Sequence, residues 1–164
     1  MGEGDPGTLV TREFYDEARR LTASHGSMLV IDSVQAGLRA AGELSVLDYP
    51  GFDTCDPPDF EIFSKALNGG QFPLSVVAFS AAAAEAYRSG IYGNTMAFNP
   101  RACRVGAAAL RSMTPDIRRN VADRGEDLVN ELRLLAERHP RYLGRVNGSG
   151  LLVGLHVDPV VRVT

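Results

Sequence analysis

The chain has 164 residues, 45% of them hydrophobic and 23% charged, with a formal net charge of −3, which is the make-up of one ordinary soluble domain able to pack a core without disulfide or metal staples. That composition excludes a disordered chain and a disulfide scaffold. Mild acidity with interspersed signs argues against a nucleic-acid or anionic-membrane partner, and no apolar run approaches the roughly 18 residues of a bilayer span.

The first seven residues contain three Gly and one Pro and are expected to be irregular. They show no basic segment followed by an apolar stretch, so no secretory leader is expected. The two cysteines, Cys55 and Cys103, fit no metal-ligand spacing and suit a reducing compartment, which points to a cytoplasmic location.

Thr11 to Ser24 reads as a helix, with Phe14, Tyr15, Ala18 and Leu21 at helical spacing, Thr11 able to cap it and His25-Gly26 ending it. Ser27 to Asp32 is a short apolar run ending in a carboxylate, the pattern of a buried parallel strand. Residues 37 to 58 are rich in Gly and Pro and read as loop with one helical turn. Asp59 to Ser64 is a second strand that ends at Lys65. Gly69-Gly70 breaks the chain, Leu74 to Ser80 is a third strand, and Ala81 to Arg88 is an alanine-rich helix.

Asn94 to Pro100 is a polar turn segment. Asn99 caps a helix with Pro100 in its first turn, running to about Met113. Thr114-Pro115 starts another helix, with a stripe of Ile117, Val121, Leu128, Leu132 and Leu135, ending near His139-Pro140; its arginines read as a solvated face. Gly148-Ser-Gly150 leads into a fourth strand, Leu151 to Val157. The order predicts an α/β sheet followed by a more helical part, divided near residues 111 to 115 into segments 1 to 112 and 113 to 164.

Of the 17 Lys and Arg residues, only Lys65 is lysine. An amine can form a Schiff base with an aldehyde and a guanidinium cannot. In open α/β sheets ligands bind beyond the carboxyl ends of strands. Asp32 and Lys65 each fall at such an end, and Gln35 follows the aspartate by one turn. A carboxylate there can pair with a protonated ring nitrogen. From spacing alone the ordinary alternatives stay open: Asp32 as a cap, Lys65 as a solvated charge, Gln35 as a turn residue and Thr95 as part of an Asn-Thr turn.

Four segments carry a more specific resemblance. Leu29-Val-Ile-Asp-Ser-Val-Gln-Ala-Gly37, Phe63-Ser-Lys-Ala-Leu-Asn-Gly-Gly70, Gly93-Asn-Thr-Met-Ala-Phe-Asn-Pro-Arg-Ala-Cys103 and Gly148-Ser-Gly-Leu-Leu-Val-Gly154 resemble, in order, the aspartate strand-and-turn, the lysine segment, the phosphate-contacting segment and a small-domain strand of class III, ornithine-type, pyridoxal-phosphate aminotransferases. The resemblance implies part of the fold-type I large domain, a mostly parallel sheet with flanking helices, plus the start of a small α+β C-terminal domain. It implies pyridoxal 5'-phosphate as cofactor, Lys65 as the Schiff-base lysine and proton carrier, and Asp32 as partner of the pyridinium nitrogen. Gln35 would lie near the ring oxygen, and Thr95 would contact the phosphate in the neighbouring subunit of a homodimer with shared sites. Partners would be a small amino donor and a carbonyl acceptor. An aminomutase or racemase on the same fold is the neighbouring alternative, and a non-catalytic chain that packs against a partner is the alternative from another class.

Two departures bear on substrate choice: Ser33 stands where the family commonly has an acidic residue, and Met96-Ala-Phe98 replaces a stretch usually richer in glycine. The family's phosphate loop and ring-covering aromatic normally precede these segments and its carboxylate-binding arginine normally follows them, so the chain is expected to be the middle of a longer enzyme. Other readings fall away. Gly148-Ser-Gly150 precedes a strand, whereas a dinucleotide fingerprint follows one. The three histidines have no ligand spacing, so no metal is expected. Cys55 and Cys103 have no base beside them in sequence and read as inert thiols.

Overall fold

A computed structural model describes residues 7–158 apart from 39, 41, 92 and 96. The expected irregular start before residue 7, Met96 of the second departure and the last six residues lie outside the described residues.

Helix α1 spans Arg12–Ser24, and the Thr11 hydroxyl caps it by accepting from the Phe14 amide. This satisfies one of the amides that a helix start leaves without a partner. The helix anchors itself through Tyr15, which is 1% exposed, meets Phe52 edge-on at 5.9 Å between centroids, and donates its hydroxyl to the Asp56 carbonyl at 2.7 Å.

Strands β1 (Val30–Asp32), β2 (Phe60–Phe63) and β3 (Val76–Phe79) form one sheet in the order β1-β2-β3. β1 and β2 are parallel, with Val30 opposite Phe60 and Asp32 opposite Ile62. β3 returns antiparallel on the other side of β2, with Phe60 opposite Phe79. Gly69 and Gly70, at φ 59° and 75°, supply the left-handed backbone of the reversal, and the Ser64 hydroxyl closes it by donating to the Leu74 carbonyl at 2.7 Å. The expectation of a buried β1 is corrected. The strand is three residues long and lies on an edge of the described sheet, with Val30 51% exposed. Its apolar run reads as buried because parallel strands usually are.

Between β1 and β2 the chain makes one 3₁₀ turn, Val46–Asp48, closed by a reciprocal cap between Ser45 and Asp48. Helix α2 covers Ala81–Ala86, two residues shorter than expected, because Tyr87 leaves the helical region at ψ 131°. Helix α3, Pro100–Ser112, starts as predicted, with the Asn99 side chain accepting from the Arg101 amide at 3.0 Å. Leu38, Phe63 and Leu67 form the core at the sheet's end, flanked by Leu44, Ala66, Leu74 and Met113.

Helix α4, Pro115–Arg138, is capped by Thr114 and packs on an antiparallel hairpin of β4 (Leu143–Ser149) and β5 (Leu152–Val157). Its buried stripe is Val121, Gly125 and Val129. Ile117, Leu128 and Leu135, assigned inward from the sequence, are each about 40% exposed. The glycine turns the helix, because the hairpin backbone can approach only where no side chain stands. β4 was not expected. Gly144 and Gly148 interrupt its alternation, and its pairing slips between Leu143 and Val146. The hairpin also meets the sheet side of the chain: the Leu151 amide donates to the Ala40 carbonyl at 2.7 Å, and Arg118 of α4 pairs with Glu43.

Candidate functional site

The site predicted from sequence lies at the carboxyl ends of the parallel pair β1 and β2. Asp32 is the last residue of β1 and is opposite Ile62, three residues before Lys65. Parallel strands deliver their ends to the same rim, so the carboxylate and the amine come to one edge.

Lys65 is held there by its neighbours. Phe63 before it is 6% exposed and Leu67 after it is 4% exposed, both in the core. Between them Lys65 adopts φ 45°, the left-handed region that costs a non-glycine residue about 1–3 kcal/mol. It then opens the 3₁₀ turn Lys65–Asn68, which packs on α3. Gly106 makes that packing close, since a Cβ there would lie 2.6 Å from the Leu74 Cδ2. The lysine side chain is exposed and makes no hydrogen bond or ion pair among the described residues.

Asp32 is exposed and bends the chain, its Oδ1 accepting from the Val34 amide at 2.9 Å. Gln35 is half-buried in the turn that follows. That turn is tight: the Gly37 amide donates to the Ser33 carbonyl at 2.8 Å, the Tyr49 hydroxyl donates to the Ala36 carbonyl at 3.2 Å, and a Cβ on Gly37 would lie 2.8 Å from the Ser33 oxygen. Asp32, Gln35 and Lys65 are therefore gathered at one end of the sheet. Thr95 is exposed in a turn where the Ala97 amide donates to the Asn94 carbonyl at 3.0 Å. No hydrogen bond among the described residues links Thr95 to Asp32 or Lys65.

The sequence reading missed Glu61. It is 6% exposed in the middle of β2 and accepts from the Ser33 hydroxyl at 2.5 Å, the Ser45 hydroxyl at 2.7 Å and the Val46 amide at 2.8 Å. A signal was present: in Phe-Glu-Ile-Phe the glutamate shares the face of buried Phe63, so a charged residue sits at an inward position of an apolar strand.

Elsewhere the titratable groups are structural. Asp59 accepts from the Leu29 amide at 2.8 Å and from Arg19 at 2.6 Å, and these bonds hold its carboxyl below the usual range. Burial pushes the Tyr15 phenol up to about 12 and raises the Cys55 thiol, whose Sγ lies 3.8 Å from Asp16. A groove along α1 is lined by Arg12, Arg19 and Arg20, and each is already paired with a carboxylate. Among the described residues no three His, Cys, Asp or Glu side chains gather as a metal site, and no helix is long and apolar enough to cross a membrane.

Known proteins are similar to this chain in sequence and fold. The chain is 33% identical over 162 residues to an acetylornithine aminotransferase of Neisseria meningitidis, covering 98% of this chain and 39% of that one. An ornithine aminotransferase structure from Toxoplasma gondii superimposes with a TM-score of 0.82 at 25% identity, over 96% of this chain and 37% of that one. A second structure of the Toxoplasma gondii ornithine aminotransferase, with pyridoxal phosphate at partial occupancy in its active site, matches at 29% identity with a TM-score of 0.73, over 93% of this chain and 35% of that one. The chain thus spans well under half the length of these relatives. Residues 2–164 match the aminotransferase class-III family throughout, and the chain belongs to that family.

Proposed function

We infer that this chain is the lysine-bearing part of a pyridoxal-phosphate-dependent aminotransferase that moves an amino group from a small amino donor to a carbonyl acceptor. The observation that supports this best is the placement of Asp32 at the end of β1 and of Lys65 just past the end of the parallel β2, in a chain of this family. An amine, a carboxylate and an amide on one rim are a donor set that fits an aldehyde-bearing cationic ring. When bound, pyridoxal phosphate supplies a carbonyl for amines and a ring that takes up negative charge from the substrate carbon.

The chain's own residues do the rest. Lys65 Nζ would hold the cofactor through its aldehyde and would carry a proton to and from the reacting carbon as general base and acid. Asp32 would pair with the ring nitrogen and keep it protonated, and Gln35 would lie near the ring oxygen. Thr95 would contact the phosphate of a neighbouring subunit in a homodimer with shared sites. Residues 1 to 112 belong to the cofactor-binding domain and 113 to 164 begin a smaller one, and the enzyme works in the cytoplasm.

The test is to express the full-length protein that contains this chain, add pyridoxal phosphate, reduce with borohydride and digest. The expected result is a visible absorbance band that borohydride bleaches, with the cofactor mass fixed on the peptide holding Lys65. A colourless protein with no labelled peptide would overturn the reading in favour of a chain that only packs against a partner. A labelled protein that rearranges or racemises amino compounds without transferring the amine would favour the aminomutase or racemase alternative.

A further inference from the structure

Glu61 lies on the strand that ends at Lys65, and the Ser33 it holds is the residue after Asp32. Its Oε1 takes the Ser33 hydroxyl at 2.5 Å and the Val46 amide at 2.8 Å, while Oε2 takes the Ser45 hydroxyl at 2.7 Å. One carboxylate therefore ties three segments together: β2, the turn after β1 and the 3₁₀ turn at Val46–Asp48. Both Glu61 and Ser33 are buried, at 6% and 5% exposure, so these bonds form away from competing water. The backbone pairing of β1 ends where the Ser33 amide donates to the Ile62 carbonyl at 2.9 Å. Beyond that point the Glu61 side chain joins the turn that follows Asp32 and carries Gln35 to the lysine strand, beside the packing of Leu38 on Phe63.

We propose that Glu61 is a positioning residue, which through Ser33 sets Asp32 and Gln35 against Lys65 for the cofactor; this role rests on the functional reading above. A side chain that can bond Ser33, Ser45 and Val46 at once is needed at residue 61, and a net charge is not. A glutamine can keep the Ser33 and Val46 bonds through its carbonyl and donate its amide to Ser45, whereas a leucine leaves the buried Ser33 hydroxyl and the half-buried Ser45 and Val46 donors unpaired.

The experiment uses the full-length protein as Glu61→Gln, Glu61→Leu and Ser33→Ala variants, each studied well below its melting temperature. Pyridoxal phosphate affinity is measured by titration, and amide exchange is followed in the cofactor-free protein. For Glu61→Leu the expected results are about a tenfold weaker affinity and about a tenfold faster exchange confined to residues 33 to 37 and 45 to 48, with exchange in α4 and the hairpin unchanged. Glu61→Gln should restore both to within about threefold of wild type, and Ser33→Ala, which removes only the cross-strand bond, should weaken affinity about fivefold. A folded Glu61→Leu protein that binds like wild type, or whose exchange quickens everywhere alike, would overturn the proposal. Should Glu61→Leu fail to fold, an Ser33→Ala protein with wild-type affinity would overturn it in its place. A wild-type protein that takes up no cofactor overturns the functional reading and this role with it, whereas a binding wild type with an equally binding Glu61→Leu overturns this role alone.

Discussion

Gly125 in the middle of α4 faces Gly150 in the turn between β4 and β5, so closely that a Cβ on Gly125 would lie 2.3 Å from the Gly150 Cα. Two effects of a Gly125→Ala substitution oppose each other. Helix propensity favours alanine by about 1 kcal/mol, but the new methyl meets backbone, which cannot rotate away. The steric term wins, and Gly125→Ala is expected to destabilise by about 1–3 kcal/mol in denaturant unfolding. Gly106→Ala meets the flexible end of Leu74 at 2.6 Å and should cost less. The reverse order of the two costs would contradict the close helix-hairpin packing.

Acid should loosen the junction between α1 and the sheet. The Leu29 amide and then Arg19 depress the Asp59 carboxyl below its ordinary value. A carboxyl depressed in the folded state contributes stability that is present above its unfolded pKa, near about 4, and lost as pH falls through the folded value. Denaturation melts from neutral pH downward should therefore show a loss below about pH 4 that is smaller in Asp59→Asn. An identical acid profile in the two proteins would count against this linkage.

How far the sequence foretold this molecule depends on which interactions define each element. α1, α3 and α4 were legible to within a residue at their starts because Thr11, Asn99 and Thr114 are local caps, and the Asp32 and Lys65 rim followed from two apolar runs ending in polar groups. β4 was not legible, since its partner, not its own alternation, makes Leu143–Ser149 a strand. The rotated stripe of α4 was missed for a similar reason: Gly125 counts as nothing in an apolar pattern and as everything in a close approach. Glu61 went unread because its role exists only once Ser33, Ser45 and Val46 surround it.

Alkali acts on a different anchor. Burial first of all raises the Tyr15 phenol to about 12, and its hydroxyl donates to the Asp56 carbonyl at 2.7 Å. A raised folded pKa means that this stability is whole below the unfolded value of about 10 and is lost as pH rises toward the folded one. Tyr15→Phe should cost about 1 kcal/mol at neutral pH, for the lost hydrogen bond, and should flatten the decline in stability between about pH 10 and 12. A variant whose alkaline decline parallels wild type would show that other groups govern it.

Lys65 carries a conformational cost that its chemistry must justify. At φ 45° a glycine would be relaxed where lysine is strained, so Lys65→Gly in the full-length protein should be as stable as wild type or more so, by about 1 kcal/mol. The same variant should have no measurable aminotransferase turnover, because no amine remains to attach the cofactor or carry the proton. Lys65→Arg keeps the charge but cannot form the imine, and should be equally inactive. Asp32→Asn leaves the lysine in place and should retain the borohydride-sensitive band. It should lose about three orders of magnitude in rate, or ~4 kcal/mol, because the neutral amide no longer stabilises the protonated ring. Stability and turnover therefore move in opposite directions at residue 65, which separates a functional lysine from a structural one. Turnover by Lys65→Arg within about tenfold of wild type, a difference of ~1.4 kcal/mol, would show that Lys65 is not the group that does this chemistry.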